Sequence, residues 1–219
     1  MLFYDQLTTI YNSGGAKLKR FSGLLLALAL LGLFSGPAFA RDEVLISRPI
    51  DHGGYGGPWL IVAPVKNEAG LFLGGYGGWF INHCFLIGGG GYSLVSELKA
   101  PVLGPNGETL YFEMGYGGLV FEYVDKSHKM VHYTIKTLIG AGELVYNYKM
   151  SEGNWPFDHT NDSFFIIEPD INMELNVSTH FRAGLGVGYR YISGVQLEGI
   201  TDEELSGLCA NLTLKFGSF

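Results

Sequence analysis

Charged residues are scarce in this chain. Asp, Glu, Lys and Arg make up 16% of its 219 residues and the formal net charge is −7. That balance excludes both the composition of a disordered chain and the basic surface of a nucleic-acid-binding protein, so no nucleic-acid partner is expected. Cysteine is nearly absent: Cys84 and Cys209 are too few for a disulfide framework. They fall at opposite ends of the strand map below, and no bond between them is expected. Helix-period patterning is missing outside the first forty residues, and the apolar run within them, Leu24 to Phe34, is too short to span a bilayer comfortably. What is plentiful is glycine, with 33 residues, and aromatic side chains at 14%. The length suits one domain of ordinary size.

The N-terminus reads as a targeting segment. Lys17, Lys19 and Arg20 precede the apolar run, Gly36-Pro37 breaks it, and Ala38-Phe39-Ala40 fits the small-x-small cleavage rule. Residues 1–40 are therefore expected to be a cleaved secretory signal, and no Cys follows to indicate a lipoprotein. Cleavage takes away three of the 14 basic residues and one of the 21 acidic ones, leaving a net charge of −9. Residues 41–58, ending in His52-Gly53-Gly54-Tyr55-Gly56-Gly57-Pro58, read as a Gly-rich linker. Residues 59–219 form the folded domain.

Two long period-two runs dominate that domain. From Phe165 to Val177 the odd positions are apolar, while Glu168, Asp170, Asn172, Glu174 and Asn176 occupy the other face. After Ser178-Thr179-His180, Phe181 to Tyr191 alternate with Arg182, Gly184, Gly186, Gly188 and Arg190. A hairpin turning at Ser178-Thr179 pairs residues whose numbers sum to about 358, which sets Glu168 against Arg190 and Asn176 against Arg182. Two placements satisfy this pattern. In a soluble sandwich or lipocalin-like barrel the apolar face is the core, and in a membrane barrel it faces lipid while the charges pair inside.

The remaining chain supplies six more strands: Trp59 to Lys66, Leu71 to Phe80, Phe85 to Val95, Thr109 to Val124, Met130 to Lys149 and Leu205 to Phe216. In the fourth, the apolar parity shifts near Gly117-Gly118, which suggests a β-bulge. Connections after strands two, four and six are short (Asn82-His83, Asp125 to Lys129, Ser178 to His180). Those after three, five and seven are long: Lys99 to Glu108, Met150 to Asp162 and Gly194 to Glu204. Short turns at one end and longer loops at the other are the rhythm of an outer-membrane barrel, although the short link after the first strand departs from it.

On this signal peptide, loop rhythm, dyad strands with aromatics near their ends and a last strand of alternating Leu208, Ala210, Leu212, Leu214 and Phe216, the stretch Trp59 to Phe219 resembles the small eight-stranded bacterial outer-membrane β-barrel proteins of the OmpA and OmpX type. The resemblance implies an all-β fold, an eight-stranded antiparallel up-and-down transmembrane β-barrel in the bacterial outer membrane. It implies outer-membrane lipids as neighbours, the barrel-insertion machinery as a partner during assembly, and a monomer. In this family the last strand carries an assembly signal; here Phe216 is in phase with the alternation and Phe219 is not.

An eight-stranded barrel has an interior filled by side chains. Glu113, Lys136, Glu168, Asp170, Glu174, Arg182, Arg190 and Lys215 are expected to face inward and to pair, because an isolated buried charge is costly. The strand glycines, such as Gly74, Gly117 and Gly186, serve either curvature or the housing of long Arg and Tyr side chains. A structural or interaction role with a lumen plugged by charged side chains follows, with a narrow channel or carrier for a small or apolar solute, or a lipid-modifying enzyme, as alternatives. No catalytic residue is assigned: Asp158-His159 and Ser163 lie near one outer loop but lack an oxyanion site and a base-orienting partner. No metal or cofactor is assigned either. His83, His128, His132 and His180 gather at the short-turn end, spread around a ring without close ligand spacing. Gly88 to Gly91 lacks the Lys and the helix of a phosphate loop. Glu198, Asp202, Glu203 and Glu204 read as a solvated acidic loop.

Overall fold

Alternating side chains in long runs make sheet almost everywhere. The computed structural model describes residues 51–66, 68–104, 107–147 and 161–219. The targeting segment, the linker up to residue 50 and Asp158-His159 lie outside them. Among the described residues the strands are β1 (His52–Val65), β2 (Glu68–Ile81), β3 (Phe85–Leu94), β4 (Leu98–Leu103), β5 (Thr109–Asp125), β6 (Val131–Asn147), β7 (Asn161–Ser178), β8 (Phe181–Ser193) and β9 (Gly207–Ser218), with one helical turn, α1 (Asp202–Leu205). They form one antiparallel sheet in the order β3-β2-β1-β9-β8-β7-β6-β5-β4, and a β3–β5 pairing closes it. β3 runs along the Gly115–Tyr123 half of β5 and β4 along its outer half, so the two together are one stave. The result is a closed barrel of eight staves.

The hairpin register is the one the alternation implies. Asn176 pairs with Arg182 and Ile167 with Tyr191 across β7 and β8. Asn82 and His83 both adopt positive φ, 51° and 55°, in the three-residue connection between the paired Ile81 and Phe85, and the Cys84 N–H closes the turn on the Ile81 carbonyl at 3.1 Å. Cys84 sits beside that turn, whereas Cys209 lies toward the opposite end, near the start of β9; both are free.

Four expectations are corrected. The Gly-rich segment before Trp59 is strand, not linker. β1 starts at His52, and its ladder with β2 sets Gly53 against Phe80, Gly54 against Trp79, Tyr55 against Gly78, Gly56 against Gly77 and Gly57 against Tyr76. Only glycine fits at Gly57, where a Cβ would lie 1.9 Å from the Leu214 carbonyl oxygen of β9. The Lys99–Glu108 segment is not a loop either: Leu98–Leu103 is β4, and beyond it the Gly104 N–H donates to the Glu108 carbonyl at 2.8 Å, with Gly107 at φ 85°. No bulge interrupts β5, because Gly117 and Gly118 pair in unbroken register with β3 and β6. The last stave begins at Gly207, and Leu205 instead ends α1 under a Thr201–Glu204 capping box.

The wall has two unlike faces. Outward side chains are apolar: Leu73, Ile87, Leu119, Ile135, Ile171, Leu185, Val187 and Leu212 are exposed around the middle of the barrel. Trp79, Phe85, Tyr123, Tyr133 and Phe216 ring the end that carries His52 and Phe219, and Phe165, Tyr189 and Tyr191 lie toward the other. A belt of this kind between aromatic girdles is the surface that a hydrocarbon layer covers. No helix among the described residues is long and apolar enough to cross a membrane.

The ladder between β1 and β9 joins the first stave to the last. It runs from Gly54–Ser218 to Val62–Ala210 and is interrupted opposite Gly57 and Pro58, where Pro58 has no N–H to donate.

Candidate functional site

The interior is the chemically distinctive part of the molecule, and the same parity that points leucines outward builds it. Even positions of β2, β3 and β5 to β8 point in, as do odd positions of β1 and β9. Near the loop-rich mouth the inward side chains are apolar: Val65, Phe112, Met114, Leu144, Phe164, Ile166 and Ile192. The segment after β8 folds over them, burying Leu197, Ile200 and Leu205. Polar contacts fix this cover. Asp162 accepts from the Leu197 N–H at 2.9 Å and from the Gln196 N–H, Asp202 accepts from the Val195 N–H at 2.8 Å, and the Tyr146 hydroxyl donates to the Glu198 carbonyl at 2.7 Å.

Below this apolar layer the interior is charged. Arg190, fully buried, donates through Nε to Glu168 Oε2 at 2.7 Å and through Nη2 to the Tyr116 hydroxyl at 2.7 Å, and its guanidinium stacks 4.1 Å from the Phe72 ring. Lys136 Nζ lies 3.7 Å from Asp170 and 3.1 Å from the Trp59 ring centroid. Lys215 donates to Glu122 at 2.5 Å and to Glu174. Glu122 also accepts from the Tyr55 and Tyr76 hydroxyls at 2.7 and 3.1 Å. Glu174 faces His132 Nε2 at 3.4 Å and accepts from Thr134 at 3.3 Å, and Asn172 links Thr134 to Asp170. Among the described residues, four buried carboxylates thus share the interior with four buried Lys or Arg side chains.

Seven of the eight expected inward charges are inside: Lys136, Glu168, Asp170, Glu174, Arg182, Arg190 and Lys215. Glu113 is the correction. With no bulge in β5 its side chain points out, exposed near the loop-rich end, and accepts from Asn147 at 3.4 Å. The same unbroken parity turns Glu122 inward, a residue the sequence reading does not single out, and His132 and the interior tyrosines join it. A repeated signal marks the tyrosines: Gly53-Gly54-Tyr55-Gly56-Gly57 and Gly74-Gly75-Tyr76-Gly77-Gly78 recur in neighbouring staves, followed by Gly91-Tyr92 and Tyr116-Gly117-Gly118. Inward glycines make room for these rings; a Cβ at Gly90 would meet Tyr76 Cβ at 2.7 Å and the Tyr92 hydroxyl at 2.8 Å.

Ser163 is exposed in β7 beside Asp162. His83 pairs with Asp51 at 2.7 Å, His180 contacts Thr179 at 2.9 Å, and His132 turns into the interior. Among the described residues no group of three His, Cys, Asp or Glu side chains is placed to hold a metal ion.

No family model matches the chain, and no curated protein matches it. Solved structures do. Neisserial surface protein A, at 10% identity, superposes with a TM-score of 0.53 over 78% of this chain and 99% of that one. OprG from Pseudomonas aeruginosa gives a TM-score of 0.48 at 9% identity over 76% of this chain and 94% of its own. Ail, the attachment invasion locus protein of Yersinia pestis, gives 0.43 at 12% identity over 76% and 97%. At 10% identity the first is a likeness of fold. This chain has the fold of a small eight-stranded outer-membrane β-barrel.

Proposed function

We propose that the protein is an integral outer-membrane barrel with a structural or interaction role, its lumen plugged by side chains. The observation that carries this reading is the layered interior: an apolar layer under the Leu197–Leu205 cover, then paired charges with both signs present. Lipids of the outer membrane surround the wall, the barrel-insertion machinery handles the chain during assembly, and the assembled barrel is a monomer. Planar-bilayer conductance tests the plug. A silent bilayer is the expected result, and discrete ion-conducting steps would instead favour the narrow-channel alternative. Heat-modifiable migration on a denaturing gel and recovery in the outer-membrane fraction test the placement; a mature protein that stays soluble without detergent would refute it.

A further inference from the structure

We propose that the mouth at the end carrying the short turns is a binding site for a small oxyanion, a carboxylate or a phosphate. This mouth holds a pocket of about 540 Å³ lined by Arg182, Asn176, Ser127, His128, Thr179 and Phe219, among others. Arg182 is its central feature. The side chain is only 4% exposed, its guanidinium stacks 3.9 Å from the Phe219 ring, and Nη2 donates to the Ser127 carbonyl at 3.3 Å. Among the described residues Nη1 has no hydrogen-bond partner.

Arg190, on the same strand, also leaves Nη1 without a partner among the described residues, but it holds the Glu168 carboxylate through Nε and Tyr116 through Nη2 and is not among the pocket's lining residues. Arg182 makes no hydrogen bond to a carboxylate among the described residues; Lys215 holds Glu122 and one oxygen of Glu174, whose other oxygen, Oε2, has no hydrogen-bond partner among them. A buried guanidinium with an unused donor is costly, and an oxyanion is the partner whose geometry fits its fork. Directly across the ladder, Asn176 commits its amide N–H groups to the Ser127 and Lys129 carbonyls at 2.8 and 2.7 Å, leaving Oδ1 without a partner among the described residues. Nη1 is an unused donor and Oδ1 an unused acceptor on two residues that line the same pocket. A hydrogen phosphate, or a carboxylate with a neighbouring N–H as at the end of a peptide, satisfies both. Among the described residues the lining of this pocket includes no Asp or Glu, and Asp51 is paired with His83.

The test uses the full barrel in detergent micelles, isotope-labelled at arginine, titrated with inorganic phosphate and separately with N-acetylglycine at constant ionic strength. The expected result is a saturable shift of the Arg182 Nε–H signal with at least one probe, while the Arg190 signal stays still. Preference for phosphate would identify a phosphorylated ligand, and preference for N-acetylglycine a peptide carboxylate; either supports the site. Arg182→Gln should abolish saturable binding measured by calorimetry. Asn176→Asp, which keeps the arginine but sets a negative charge beside the pocket, provides a second variant should the first not fold, and should also lose binding. A linear shift, one matched by chloride, or binding retained in Asn176→Asp would overturn the proposal.

Discussion

Replacing Arg190 with Leu tests the interior most directly. The guanidinium is fully buried and, among the described residues, is the only cation within hydrogen-bonding reach of Glu168, whose other partner is the Tyr116 hydroxyl at 3.3 Å. Leucine fills part of the volume beside Phe72 but leaves a buried carboxylate without its counter-charge, a loss of roughly 3–5 kcal/mol. Unfolding in urea, performed in detergent or lipid vesicles and followed by the fluorescence of the buried Trp59, reads that loss as a shift of midpoint at constant slope. Glu168→Leu combined with Arg190→Leu removes both charges, and this pair should recover most of the stability, since a buried ion pair exchanged for apolar side chains is often neutral. A single variant within error of the parent would refute the ion pair as a buried contact. A double variant as unstable as the single one would show that volume, not charge, sets the cost.

Parity and packing set the other expected outcomes. Glu122→Leu should destabilise the barrel by several kcal/mol, roughly as for other broken buried pairs, because Lys215, Tyr55 and Tyr76 all lose a partner, whereas Glu113→Ala should change the same unfolding midpoint little. Gly140→Ala, whose Cβ would lie 2.0 Å from the Gly117 carbonyl oxygen, should sharply reduce the yield of heat-modifiable barrel, while Gly89→Ala, with 3.5 Å to the Gly118 oxygen, should fold normally. Thr201→Ala removes the α1 cap, worth about 0.5–2 kcal/mol, and should be seen as faster proteolysis of the segment between β8 and β9 without loss of the barrel.

The β7–β8 hairpin is legible in the sequence because its alternation is strict and its turn is short: register then follows from residue numbers alone, and the Glu168–Arg190 pair with it. β5 is not. Its interior changes character along its length, from Phe112 and Met114 to Glu122, so apolar residues stand inside at one end and outside at the other. Polarity read without depth then imitates a bulge, which misplaces Glu113, whereas Glu122 faces inward with or without the bulge. The start of β1 is hidden differently. Glycine-rich sequence carries the composition of a linker, yet here the close approach of neighbouring backbones and the rings of Tyr55 and Tyr76 demand it.

Closure of the cylinder waits on the β1–β9 ladder. Its partners come from the two ends of the folded sequence, so no part of this seam can form until the last strand has arrived. Contacts so remote in sequence are slow to form. During that interval β1 and β9 each present an unpaired edge, open to a strand from another molecule. The interruption at Gly57-Pro58 leaves the seam with fewer bonds than its length allows, which makes it the natural place for the wall to zip last and to part first.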